Sequence, residues 1–267
     1  AYALSIHNLT LLYLFYGIIG GIGLGIGYIT PVSTLVKYFP NRPGFATGLA
    51  IMGFGFASLI AGPLMQFLVA QVGLVNNFII LGIIYLVVMG ASSLYLKAPQ
   101  PKQPPRTTKD KSTMYVHNHG MLANDAMKTW QFGALWWIFF INITCGIGLL
   151  SLASPMAQET IGMTPAAAAS LVGIIGIFNG GGRIAWSTIS DYFGRAQTYI
   201  LFFIIQIIAF YVLAETNNAL TFQVLILLII TCYGGGFACM PAYLADLYGI
   251  RQLSNIHGHI LTAWGLA

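Results

Sequence analysis

Apolar residues dominate this chain in long blocks, and short polar breaks divide them. Residues 1–36 contain no Asp, Glu, Lys or Arg, yet the pair His7-Asn8 interrupts them. The pattern predicts the tail of one helix, then a full apolar helix from about Leu11 to Val36. A second uncharged run, Pro43 to Leu96, is too long for one crossing of a membrane and is expected to split at Gln71 to Asn77. Further helices are predicted near Trp130 to Gln158, Pro165 to Ser190, Thr198 to Ala214 and Leu220 to Ala245, with a last one beginning near Gly258. A stretch of about 20 mostly apolar residues spans the hydrocarbon core of a bilayer. The expectation is therefore seven complete spans and two partial ones.

Composition agrees. Only 6% of the 267 residues are charged and 57% are hydrophobic, with a mean hydropathy of +0.79. A soluble domain carries about 25% charged residues, so this chain lacks the means to cover a water-facing surface. The net charge of +5 does not indicate nucleic acid, because the basic residues are not gathered on a solvated face. Cys145, Cys232 and Cys239 fall in apolar segments and read as packing residues.

The basic residues set an orientation. Lys37, Arg42, Lys97, Lys102, Arg106, Lys109, Lys111, Lys128, Arg195 and Arg251 all lie at alternate connections, and the intervening connections hold only Glu159 and Glu215. The positive-inside rule makes the basic side cytoplasmic. The segment 97–128, rich in proline and lysine, reads as a cytoplasmic linker between a partial helix bundle over 1–96 and a second over 129–267.

A shift of 210 residues places Gly25 on Gly235, Pro31 on Pro241, Tyr38 on Tyr248 and Gly48 on Gly258. Both copies are Gly-rich spans that end in Pro, followed by a turn containing Arg and a new span. Same-direction repeats of this kind build one large class of carriers. The stretch GGIGLGIGYITP (20–31) is therefore read as helix, not as a phosphate-binding loop, since it lacks the required spacing and the preceding strand. Its glycines form two stripes, which predicts close packing on two sides.

Arg183 is the one charge deep inside a complete span. It precedes Asp191 by eight residues, about 12 Å of helix rise, which places it near the middle of the core. An Arg there costs at least ~2.5 kcal/mol, and no complete span offers an Asp or Glu to pair it. A guanidinium meets a carboxylate in two-point geometry and stays charged, so an organic anion is the implied substrate. Asn179 lies one turn earlier on the same face, Tyr28 and Tyr233 lie at comparable depth, and Phe54 and Phe237 offer apolar walls. His117 with His119, and His257 with His259, are the only candidate metal pairs. Neither has a carboxylate or Cys at ligand spacing, so no metal, cofactor or enzymatic chemistry is expected. A seven-span receptor is the competing reading, but it leaves the repeat and the long linker without explanation.

The segment SDYFGR resembles the cytoplasmic loop signature of the major facilitator superfamily, in which the residues matching Asp191 and Arg195 latch two helix bundles together. The basic residue usual after the Asp is Tyr192 here, which implies a weaker latch. Within that superfamily the chain is most similar to the oxalate/formate antiporter-like family. GIGLGIGYITPVSTLVKYFPNRPGFATGLAIMGFGFASLIAGPL resembles its fourth and fifth helices. NGGGRIAWSTISDYFGR resembles its eighth helix, and HGHILTAWGLA the start of its eleventh. The resemblance implies an all-α membrane fold of two six-helix bundles in pseudo-twofold repeat. This chain would run from the end of helix three to the start of helix eleven, truncated at both ends. It also implies an antiporter or proton symporter of small organic anions, working as a monomer in a bacterial plasma membrane, with a proton or counter-anion as the second partner. The residue matching Arg183 binds the substrate carboxylate in that family. The oxalate carrier's lysine in helix eleven corresponds to Trp264, so a monocarboxylate such as formate, pyruvate or lactate is expected rather than oxalate.

Overall fold

The computed structural model describes residues 1–97 and 120–267. The linker residues Lys102, Arg106, Lys109 and Lys111, and the pair His117 and His119, lie outside the described residues. Six helices among those described are long and apolar enough to cross a membrane. They are α1 (Leu9–Tyr38), α2 (Pro43–Tyr95), α3 (Trp130–Glu159), α4 (Pro165–Phe193), α5 (Arg195–Glu215) and α6 (Ala219–Tyr248). Two shorter helices follow, α7 (Leu253–Ile260) and α8 (Thr262–Leu266).

Polar side chains end the apolar runs as helix caps. Asn8 caps α1, its side chain accepting the N–H of Leu11, and Thr129, Thr164 and Asn218 cap α3, α4 and α6 in the same way. These side chains satisfy backbone donors that the first helical turn leaves without partners. At 53 residues, α2 would run about 80 Å as one helix, far more than a ~30 Å core. Gly73 breaks it with φ 79 and ψ 169, a backbone setting that favours glycine. The expected division between Gln71 and Asn77 thus falls at one residue and leaves two pieces that each suffice to cross. One feature of α1 was not foreseen: Tyr13–Ile19 is wound as π-helix.

The repeat extends to the helix ends. α1 and α6 contain Pro31 and Pro241 and end at Tyr38 and Tyr248, while α2 and α7 begin at Pro43 and Leu253. Each of these pairs is offset by the same 210 residues.

Helix α6 forms the centre of the core, with every residue from Cys232 to Ala242 buried. Its triple glycine makes this possible. A Cβ at Gly234 would lie 2.5 Å from the Asn179 carbonyl oxygen, one at Gly235 2.6 Å from Trp186 Cβ, and one at Gly236 2.3 Å from Asn142 Oδ1. The contact between α2 and α4 is closer still, since a Cβ at Gly55 would meet the Gly180 backbone nitrogen at 2.2 Å. Small residues at helix crossings allow this approach where lipid removes the hydrophobic drive. The glycines of α1 behave differently from the expectation. A Cβ at Gly17, Gly21, Gly23 or Gly25 meets nothing within 4 Å, and one at Gly27 meets only Met89. Two-sided packing of that stretch is therefore not found among the described residues; Gly21 and Gly25 instead border a cavity.

Candidate functional site: a cavity around Arg183

That cavity has a volume of about 710 Å³ and lies where α1 and the first part of α2 meet α4, α6, α7 and α8. Arg183, Asn179, Tyr28, Tyr233, Phe54, Phe237 and Trp264 all line it. Every residue singled out in the sequence for contact with an anion thus borders a single space, with contributions from both sides of the linker.

Arg183 is 4% exposed. Its Nε donates to Asn179 Oδ1 at 3.0 Å, an i, i+4 bond along α4 that fixes the stem and turns the guanidinium. Its guanidinium carbon lies 5.0 Å from the centre of the Phe237 ring, where the negative face of the ring attracts it. Nη1 is buried and has no partner. No carboxylate reaches Arg183: the ion pairs among the described residues join Arg195 to Asp191 and to Asp246. A buried cation without a counter-charge is a large desolvation cost, and an anion in the cavity would offset it.

Tyr28 stands across from it on α1. Its hydroxyl is also buried without a partner, and its ring meets Phe54 and Phe237 edge-on, with centroids 5.4 and 5.8 Å away. Tyr233 packs its ring onto Gly146 of α3, where a Cβ would come within 2.1 Å of the ring. Trp264 of α8 meets Phe237 edge-on at 6.1 Å and stays 40% exposed. The site is therefore one cation and two phenols set in an aromatic wall.

The i, i+4 pair below the cavity is not the exposed surface pair that its spacing suggests on its own. Asp191 ends α4 and Arg195 begins α5, with Gly194 turning between them at φ 97. Their side chains are only 4% and 8% exposed, and Arg195 Nη2 meets Asp191 Oδ1 at 2.6 Å. The other edges of the guanidinium bind Asp246 Oδ2 through Nε at 2.8 Å and the Ser190 hydroxyl through Nη1. The Asp191 carboxylate also accepts the backbone N–H groups of Gly44 and Phe45, each at 2.8 Å. Tyr192, in the place usual for a basic residue, receives the Arg42 guanidinium 5.9 Å above its ring.

Asp246 and Ser190 were not anticipated. Asp246 had a signal: an acid in the last turn of α6 sits against the negative end of the helix dipole, which calls for a cationic partner. Ser190 had none, because its role depends on how α5 returns across the end of α4.

Comparison with known proteins follows the same line. The chain is 29% identical to the MFS-type transporter YhjX of Escherichia coli over 97% of its own length and 63% of that protein. It is 24% identical to the oxalate:formate antiporter of Oxalobacter formigenes over 97% of its length and 60% of the antiporter. It is 20% identical to apicoplast pyruvate carrier 1 of Toxoplasma gondii over 96% of its length and 57% of the carrier. The chain thus spans about 60% of the length of these relatives. The family model of the Major Facilitator Superfamily matches residues 1–267, and the chain belongs to that superfamily.

Proposed function

We infer that the chain is part of a secondary active carrier of small organic anions of the oxalate/formate antiporter type, working by alternating access between two helix bundles. Monocarboxylates such as formate, pyruvate or lactate are its substrates, exchanged for another anion or carried with a proton. One observation carries this reading: Arg183 Nη1, buried and without a partner, borders the cavity between the two halves of the chain. A carboxylate docked there completes the two-point pair that a guanidinium favours. In this reading the phenols of Tyr28 and Tyr233, which line the cavity, donate to its oxygens, and the rings of Phe54, Phe237 and Trp264 enclose its apolar part.

An oxalate/formate exchanger is the second reading, favoured by the likeness to the Oxalobacter formigenes antiporter. A dicarboxylate needs a second cation, and among the residues lining the cavity Arg183 is the sole charged one, so monocarboxylates rank first. The Asp191–Arg195 cluster serves as the latch of the alternating movement. It ties the end of α4 to the start of α2 on the basic, cytoplasmic side, and must release for that side to open.

The test is uptake of labelled formate, pyruvate, lactate and oxalate into vesicles bearing the full-length protein, with and without a preloaded counter-anion. Stimulation by the counter-anion identifies exchange, and stimulation by an inward proton gradient identifies symport. Absence of uptake for all four anions would overturn the assignment.

A further inference from the structure

Behind the cavity wall lies a second polar group that the anion site does not use. His257, in the first turns of α7, is 1% exposed, and its Nε2 is buried with no hydrogen-bond partner. Its ring rests against that of Tyr28, with centroids 5.6 Å apart and planes at 57°. Tyr28 lines the cavity, as do Gly258 and Leu261 on either side of the next turn of α7. One aromatic ring therefore separates His257 from the space that Arg183 borders. A packing role alone would be met by an apolar ring, and a buried nitrogen left unbonded is destabilising.

We propose that His257 is the proton-binding group that couples anion occupancy of the Arg183 cavity to proton uptake. This rests on reading the cavity as an anion site. The sign of the coupling follows from charge. In the empty cavity, burial away from water disfavours a charge on the imidazole, and the unpaired Arg183 already leaves one positive charge on the cavity wall. A carboxylate paired with Arg183 cancels that charge, so the imidazole accepts a proton from water as the anion binds. One negative and one positive charge enter together and leave together, which makes the transfer electroneutral.

Among the described residues, the groups around His257 leave it alone in this role. Tyr28 faces it from α1, and Lys37 at the end of that helix is exposed. α6 contributes the phenols Tyr233 and Tyr248, the latter bonded to Thr129. Asp246 of α6 is held by Arg195. α3 carries Cys145 and an exposed Glu159, and α8 has no titratable side chain. Asp125 of the short helix Ala123–Ala126 is exposed, and so is His259, whose Nδ1 bonds the Asn255 carbonyl.

The experiment measures binding of formate, pyruvate and lactate to the purified full-length protein by calorimetry between about pH 6 and 8, where their carboxylates stay ionised. Buffers of different ionisation enthalpy report protons taken up. For the parent, affinity should rise roughly fivefold or more from the alkaline to the acid end, with net proton uptake on binding. His257→Gln and His257→Asn should keep Arg183-dependent binding while losing both the pH slope and the uptake. A pH slope that survives in either folded variant overturns the proposal and leaves the anion site standing. Should neither variant fold, the parent still decides: anion binding without proton uptake overturns it. Failure of the parent to bind any of the three anions defeats the anion-site reading and this inference with it.

Discussion

Asp191 caps the start of α2: its Oδ1 accepts the N–H of Gly44, 147 residues earlier, at 2.8 Å, across the junction between the two halves of the chain. Its Oδ2 takes the next N–H, that of Phe45, at the same distance. The first turn of α2 thus finds partners for donors it cannot satisfy itself, and the positive end of its dipole meets a full negative charge. The cap lies about 12 Å of helix rise from Arg183.

Asp191→Asn keeps one acceptor oxygen and loses the charge, so the closed latch weakens by ~1.5–3 kcal/mol, or roughly 10- to 150-fold in population. Turnover in exchange assays should slow while the anion dissociation constant changes little, because the group stands away from the cavity. A collapse of affinity with unchanged turnover of the bound carrier would show that Asp191 belongs to the binding site rather than to the latch.

Gly55 tests the packing of α2 on α4. A Cβ there would lie 2.2 Å from Gly180 N and 2.3 Å from Gly180 Cα, both backbone atoms that no rotamer change can move. Gly55→Ala should force the helices apart and disfavour the conformation described here, with loss of transport at normal membrane insertion. Gly53, on the same helix, has nothing within 4 Å of a Cβ, and Gly53→Ala should leave transport near the parent level. Equal uptake by both variants would show that this crossing does not close in the working cycle.

The sequence disclosed whatever is encoded locally or at a fixed offset. The apolar runs and the break at His7-Asn8 gave the helices, and the caps Asn8, Thr129, Thr164 and Asn218 lie next to the turns they cap. The 210-residue offset carried over to the helix ends at Tyr38 and Tyr248, because a repeated chain repeats its folding signals. Arg183 stood out because a charge within an apolar run is costly wherever it points. The partnership of Arg195 with Asp246, 51 residues away, leaves no period to read. The burial of His257 against Tyr28 depends on how α7 meets α1, and a solvated histidine would look the same in sequence. The glycines of α1 show the opposite error: their spacing permits close packing without requiring it.

Trp264 tests the proposed preference for monocarboxylates. It borders the cavity across the Phe237 ring from Arg183, and it stands where the resemblance to the oxalate carrier places a lysine. Trp264→Lys should add a second charge-assisted contact and raise the preference for oxalate over pyruvate by about tenfold or more. Competition of both anions against one labelled monocarboxylate measures this ratio. An unchanged ratio would show that position 264 does not reach the bound anion.

Arg183 itself decides whether the cavity is an anion site. Its Nε is committed to Asn179 and its Nη1 is idle, so an incoming carboxylate meets a fork already held in place on its stem. Arg183→Lys keeps the charge but loses the fork and the bond to Asn179 that orients it, and carboxylate affinity should fall substantially rather than modestly. Arg183→Ala removes the cation, at a cost of ~1.5–3 kcal/mol for a charge-assisted bond, or roughly 10- to 150-fold in affinity. The loss should be larger for formate than for lactate, because formate has no apolar part for the rings of Phe54 and Phe237 to hold. Asn179→Ala should produce a smaller defect of the same kind, since it loosens the guanidinium without removing it. Equilibrium binding of both anions to the three variants provides the comparison. Normal monocarboxylate binding by Arg183→Ala would remove the central assignment, whatever the transport assays gave.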